Sequence, residues 1–162
     1  MPNNINLYTD GAALGNPGPG GYGLILEWAE KDYIKEFYEG FRLTTNNRME
    51  LLAVIVGLEK LKQEGMNVTV YSDSKYVVDA INQNWLNGWV KKRFNKVKNP
   101  DLWKRLLPLL NKHTVTFQWI KGHNNHPENE RCDVLAVMGA NLKEQHIDYF
   151  YEEIATKEDA LF

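Results

Sequence analysis

Four carboxylates stand where a chain has no evident structural need for them. Asp10 precedes a glycine, Glu50 lies early in an apolar-periodic stretch, Asp73 sits inside Ser72-Asp73-Ser74, and Asp133 separates Cys132 from Val134-Leu135-Ala136-Val137. Clustered carboxylates repel and raise one another's pKa unless a cation holds them. Cys132 is the single cysteine, so an all-oxygen ligand set would favour a hard divalent ion, Mg²⁺ or Mn²⁺. Each acid also has a plain structural reading. Asp10-Gly11 is a turn pair, Asp73 can cap a following helix, Glu50 fits a capping box with Asn47, and Asp133 can pair with Arg131 or a nearby lysine. Spacing alone leaves both readings open.

The elements that must position these acids follow from periodicity and punctuation. Residues 4–10 alternate Ile5, Leu7 and Thr9 against Asn6 and Tyr8, a strand pattern. Gly11 to Gly23 holds six glycines and two prolines, which predicts a loop and turn. YGLILEWA (22–29) and YIKEFYEGFR (33–42) read as two strands of an antiparallel meander across the short Glu30-Lys31-Asp32 connection. Leu51, Leu52, Ile55, Leu58 and Leu61 recur at helical spacing over 47–64, with Gly65 as the stop. Val68 to Tyr71 and Val115 to Ile120 read as strands, and helices are expected at 75–82, 100–112 and 128–143. An antiparallel meander joined to crossovers predicts an α/β fold, a mixed sheet with helices on its faces. In such a sheet the carboxyl ends of neighbouring strands form the usual site, where Asp10 and Asp73 could meet with Glu50 and Asp133 arriving from helices.

The 162 residues fit one domain. Hydrophobic residues at 43% and charged residues at 25% exclude a disordered chain. No apolar run approaches the roughly 18 residues of a membrane helix, and MPNNINLYTD lacks the basic start and apolar stretch of a signal peptide. A lone cysteine suits a reducing setting, so a cytoplasmic location is expected. The net charge of −2 hides a division. From Glu144 onward six acids face one base, Lys157, which leaves residues 1–143 at +3. Between Asp79 and Asp101 there is no acid, but there are Lys91, Lys92, Arg93, Lys96 and Lys98, interleaved with Trp85, Trp89 and Phe94. Such a segment can hold a polyanion.

TDGAALGNPGPGGYG (9–23), TTNNRMEL (44–51), YSDSKYV (71–77) and WIKGHNNHPENERCD (119–133) together resemble the four blocks of bacterial ribonuclease H, type 1, in order and over Ile5 to Asn141. The resemblance implies a five-stranded mixed sheet with helices on both faces and hydrolysis of the RNA strand of RNA–DNA hybrids. It also implies two Mg²⁺ ions, with Mn²⁺ as a substitute, and 5′-phosphate and 3′-hydroxyl products. Matched block by block, the metal-binding and catalytic carboxylates fall on Asp10, Glu50, Asp73 and Asp133, with Asp10 shared by both ions. The mobile catalytic histidine falls on His123, after Gly122. His126, before Pro127, reads instead as the entry to the last helix.

Hybrid contacts by the same match fall on the Gly11–Asn16 loop, Thr45, Asn46 and Asn47, where short amides and backbone can reach 2′-hydroxyls. Lys75 and Ala13 replace other polar residues common in relatives. Trp85, Trp89, Lys91, Lys92, Arg93, Lys96 and Lys98 match the family's basic protrusion; a solvated basic helix whose tryptophans fill the core is the plain reading, and the two coexist if Trp85 and Trp103 face partly inward and the lysines outward. Two other readings remain: a related polynucleotidyl transferase or resolvase on the same fold, or a hybrid-binding module without catalysis. A monomer is expected. The domain is expected to span 1–143, followed by an acidic tail (144–162), partly packed or disordered. Its final Leu161-Phe162 faintly resembles peptides that dock replication proteins on a sliding clamp.

Overall fold

The computed structural model describes residues 3–122 and 124–161, with side chains described as far as Lys157. Its elements are β1 (Asn4–Ala13), β2 (Gly18–Trp28), β3 (Tyr33–Thr44), α1 (Asn46–Glu59), β4 (Asn67–Ser72), α2 (Lys75–Asn82), α3 (Trp85–Lys91), α4 (Pro100–Lys112), β5 (Thr114–Trp119), α5 (Pro127–Ala140) and α6 (Tyr149–Leu161). The sheet order is β3-β2-β1-β4-β5. β1 and β3 pair with β2 antiparallel, and β4 lies parallel to both β1 and β5. The mixed α/β sheet expected from the sequence is thus the observed one.

Strand parity divides the core between the two faces of the sheet. Leu7, Leu24 and Leu26 point into the larger cluster, with Leu51, Ile55 and Leu58 of α1, Val77 of α2 and Trp103 and Leu106 of α4. Tyr8 and Ile25 point to the other face, where Cys132 and Leu135 of α5 cover them. Trp103 is completely buried, with Trp89 packed edge-on against it at 5.2 Å. No helix among the described residues is long and apolar enough to cross a membrane.

Three expectations need correction. The glycine-rich stretch from Gly11 to Gly23 is mostly strand: β1 runs on to Ala13 and β2 begins at Gly18. These glycines admit close neighbours rather than a loop. A methyl group on Gly11 would lie 2.6 Å from the carbonyl carbon of Met49, and one on Gly23 would lie 2.6 Å from Leu135 Cβ. The helix expected over 47–64 stops at Glu59, and Gly65 adopts a left-handed φ of 72° in the connection that follows. Trp85 does not turn inward; it is 44% exposed, and Trp89 is the α3 indole packed against the core.

α5 sits on β2 and β3 through glycine. A methyl group on Gly139 would overlap the carbonyl oxygen of Glu39 and lie 3.4 Å from Gly21 Cα. Alanine in a helix gains about 1 kcal/mol over glycine, whereas overpacking against backbone costs about 1–3 kcal/mol or more. Gly139→Ala should therefore destabilise the protein by about 2 kcal/mol in urea melts. A more stable variant would show that helix propensity outweighs the fit.

After α5 the chain returns along β3. His146 N donates to Gly40 O at 2.8 Å, and Arg42 N donates to His146 O at 3.0 Å, so the outer edge of β3 is partly covered. Glu152 of α6 takes a bidentate pair from Arg42. The docking expectation for Leu161 and Phe162 concerns side chains outside the described residues.

Candidate active site

β1 and β4 are parallel neighbours in the sheet, so their carboxyl ends lie side by side. Asp10 lies in β1, close to that end, and Asp73 directly follows β4. α1 brings the third acid. Its N-cap is Thr45, whose hydroxyl accepts from Arg48 N at 3.3 Å, so Glu50 takes no part in a capping box with Asn47. Gly11 lets the first turn of α1 close on β1. Oxygens of Asp10, Glu50 and Asp73 then all lie within 4.8 Å of one another. Asp133 stands on α5 outside that set, but near enough for its charge to act on Asp10.

The other structural readings of these acids also give way. Gly11 belongs to a strand, not a turn. Ser74, not Asp73, caps α2 by accepting from Val77 N. Arg131 forks onto Glu36 rather than Asp133.

Burial, the Asp73 charge and, more weakly, Asp133 push Asp10 up to about 7, although hydrogen bonds with Glu50 and Gly11 N pull the other way. Burial raises Glu50 well above its ordinary range, followed by the charges of Asp10 and Asp73. In the metal-free protein this pair keeps a proton near neutrality. Glu50 Oε2 is buried and has no hydrogen-bond donor among the described residues beyond such a shared proton. Three acceptor-only groups, one with a buried orphan oxygen, fit a hard divalent cation.

The sign of the linkage follows from Asp10. Between about pH 4 and 7 the folded protein holds a proton that the unfolded chain has released, so unfolding free energy falls as pH rises. Metal-free protein in EDTA should melt at lower temperature at pH 8 than at pH 5.5. The buried His113, pushed below its ordinary value mainly by desolvation, tilts stability the opposite way below about pH 6.5. The decisive quantity is therefore the difference from Asp10→Asn, whose profile should show a smaller loss, since Glu50, raised mainly by its own burial, remains. Mg²⁺ should restore the melting temperature of the unaltered protein at pH 8. Identical profiles for the two proteins would contradict the assignment.

Asn129 and Trp119, both near the trio, carried no signal of their own in the sequence. Asn129, 3% exposed, places Nδ2 3.5 Å from Asp73 Oδ2, and Trp119 donates from Nε1 to Asp73 O at 3.1 Å. Lys75 Nζ lies 4.9 Å from the centre of the Trp119 ring. These are contacts across elements distant in sequence, which no local pattern encodes. His126 is the N-cap of α5, its Nδ1 accepting from Asn129 N at 3.2 Å, as the His-Pro step suggests. His123 lies outside the described residues.

The residues matched to hybrid contacts occupy two regions. Asn16, Asn46 and Asn47 gather near the start of α1, where Asn16 Oδ1 accepts from Asn46 N at 3.0 Å. Gly11 and Thr45 flank the same helix end, and Asn16 and Asn47 are exposed. The basic segment does not continue as a helix past Lys91. It turns through left-handed backbone at Arg93, Phe94 and Lys96, with φ of 54°, 58° and 60°. Phe94 is buried as an anchor, while Lys91, Lys92, Arg93, Lys96 and Lys98 are exposed.

Known proteins share both sequence and architecture. The Ribonuclease H of Lachnoclostridium phytofermentans is 54% identical, over 88% of this chain and 98% of that protein. The Ribonuclease H of Shewanella denitrificans is 51% identical, over 92% and 94%. LC9-RNase H1, a type 1 RNase H with the type 2 active-site motif, superposes with a TM-score of 0.80 at 30% identity, covering 96% of this chain and 82% of its own. LC11-RNase H1, solved in complex with RNA/DNA hybrid, gives 0.64 at 28%, covering 85% and 96%. The RNase H family model matches residues 2–141, a span that takes in every strand and all four acids, and the chain belongs to the RNase H family.

Proposed function

We propose that this protein is a ribonuclease H that hydrolyses the RNA strand of RNA–DNA hybrids, leaving 5′-phosphate and 3′-hydroxyl ends. The observation that carries the reading is the convergence of Asp10, Glu50 and Asp73 within 4.8 Å on a fold of this family. Asp10, Glu50, Asp73 and Asp133 are the residues that would hold two divalent ions, Mg²⁺ in the cell and Mn²⁺ as a substitute. When bound, such ions supply Lewis acidity at the scissile phosphate and lower the pKa of a water nucleophile.

The remaining roles belong to the chain. Gly11, Asn16, Thr45, Asn46, Asn47 and Lys75 contact the hybrid near the reacting phosphate, and the amides reach 2′-hydroxyls across the wide minor groove. His123 handles a proton or assists product release, as a near-neutral imidazole can. Trp85, Trp89, Lys91, Lys92, Arg93, Lys96 and Lys98 add affinity without sequence preference, because phosphate contacts position the duplex and do not read bases. The protein acts as a monomer in the cytoplasm.

Hybrid, duplex DNA and duplex RNA of one sequence, each incubated with Mg²⁺ or EDTA, test the proposal directly. Only the RNA strand of the hybrid should be cut, and only with the metal. Cleavage of duplex DNA would favour a transferase or resolvase, and binding without cleavage would favour a hybrid-binding module. In the same assay, replacing Lys91, Lys92 and Arg93 with glutamine should raise KM and leave kcat largely unchanged. Each lost phosphate contact should flatten the log–log salt slope by about 0.9. An unchanged slope would reduce the segment to a solvated face.

A further inference from the structure

A cavity of about 600 Å³ opens at the end of α1 remote from Glu50, about ten residues along the helix, ~15 Å, from that carboxylate. Its apolar lining comes from Ile5, Leu26, Trp28, Phe37, Leu61 and Met66. Four lysines, Lys31, Lys35, Lys60 and Lys62, complete it against one carboxylate, Glu27. Glu27 is itself engaged, accepting from Asn6 Nδ2 at 2.8 Å.

None of these lysines has a carboxylate within ion-pair distance among the described residues. Three of them lie against aromatic rings instead: Lys31 Nζ is 5.7 Å from the centre of Trp28, and Lys35 and Lys60 are 5.2 and 4.7 Å from that of Phe37. Trp28 Nε1 is buried without a hydrogen-bond acceptor among the described residues. A buried indole N–H ordinarily finds one.

We propose that this cavity is a binding site for a small aromatic anion, an aryl body bearing a carboxylate, sulfonate or phosphate. The volume lies in the range of small-molecule sites, and an apolar lining with a few convergent polar groups is their usual composition. The aryl body covers the apolar lining beside Trp28 and Phe37. The anionic head meets the lysines. The four lysines are exposed, so a neutral ligand would forgo their attraction, and a small inorganic anion would leave the apolar lining wet. Charge and shape therefore select the combination. The site shares no residue with the proposed hydrolytic machinery and does not depend on that function.

The probe is 8-anilinonaphthalene-1-sulfonate, titrated by fluorescence into the full folded protein in low-salt buffer. Saturable one-to-one binding is expected. The double variant Lys35→Glu/Lys60→Glu should bind at least about tenfold more weakly, a change of 1.4 kcal/mol. Lys35→Met/Lys60→Met, which keeps apolar stems, should weaken binding in the same direction, with melting curves showing that both variants are folded. The neutral N-phenyl-1-naphthylamine should bind the unaltered protein at least about tenfold more weakly than the sulfonate. Hydrolysis of free hybrid should be unchanged in both variants. Non-saturable binding, equal affinity in the charge-altered variants, or equal affinity for the neutral probe would overturn the proposal. A parallel loss of hydrolysis would also overturn it, by assigning the lysines to the hybrid-binding surface.

Discussion

Asp10→Asn should abolish Mg²⁺-dependent cleavage of the hybrid while leaving a folded protein. The substitution keeps the shape of the side chain and an oxygen able to accept from Gly11 N, a bond of 2.9 Å in the native chain. It removes the charge at the acid whose oxygen lies within 4.8 Å of oxygens on both Glu50 and Asp73. Charge stabilisation by a bound cation is worth several kcal/mol in the transition state. A loss of about 4 kcal/mol corresponds to roughly 10³-fold in rate. The same change relieves repulsion among buried acids, so metal-free stability at pH 8 should rise as activity disappears. Single-turnover cleavage and a melting curve on one preparation check both. A folded variant retaining more than about a tenth of the native rate, equivalent to under 1.4 kcal/mol, would remove Asp10 from the centre of the chemistry.

Arg48→Ala should cost about 3–5 kcal/mol of stability, the usual penalty for removing one partner of a buried ion pair. The Arg48 side chain is 3% exposed and that of Asp148 8%. The guanidinium makes two forks. Nε and Nη2 meet Asp148 Oδ2 and Oδ1 at 2.6 and 2.9 Å. Nη1 and Nη2 meet Asp101 Oδ1 and Oδ2 at 2.9 and 2.7 Å. Thr44 Oγ1 adds a third donor to Asp148 at 2.8 Å. One side chain thus ties α1 to the start of α4 and to the segment before α6, and Asp148 extends the tie to the end of β3. Truncation would leave Asp148 buried with the Thr44 hydroxyl as its remaining side-chain donor. Urea unfolding of Arg48→Ala and Asp148→Asn should show the larger loss for Arg48, since two carboxylates lose their partner. A loss below 1 kcal/mol for Arg48→Ala would mean that the desolvation cost of the network nearly cancels its attraction.

What the sequence by itself determined is the set of elements whose periodicity is local. Helices expected at 75–82 and 100–112 occur at those residues, because capping and apolar spacing act within a few turns. The mixed sheet followed from a meander joined to crossovers, and the family was legible in four blocks of residues. Tertiary structure alone decided features that depend on partners far along the chain. Gly11, Gly21 and Gly23 read as loop by composition, yet they are strand residues onto which the backbones of α1 and α5 press. The α1 helix ends at Glu59 although Leu61 keeps the apolar spacing; Leu61 instead lines the cavity.

Trp85 and Trp89 are both tryptophans in one basic segment, and only the packing of α3 against Trp103 separates them. The tail was legible as acidic, but not Asp148 as the buried partner of an arginine 100 residues earlier. The acids of the site were nameable one by one from their blocks. Their mutual distance, and with it the displaced pKa of Asp10, exists only once two parallel strands and a helix N-terminus meet, since burial and Coulomb repulsion act through space and not along the chain.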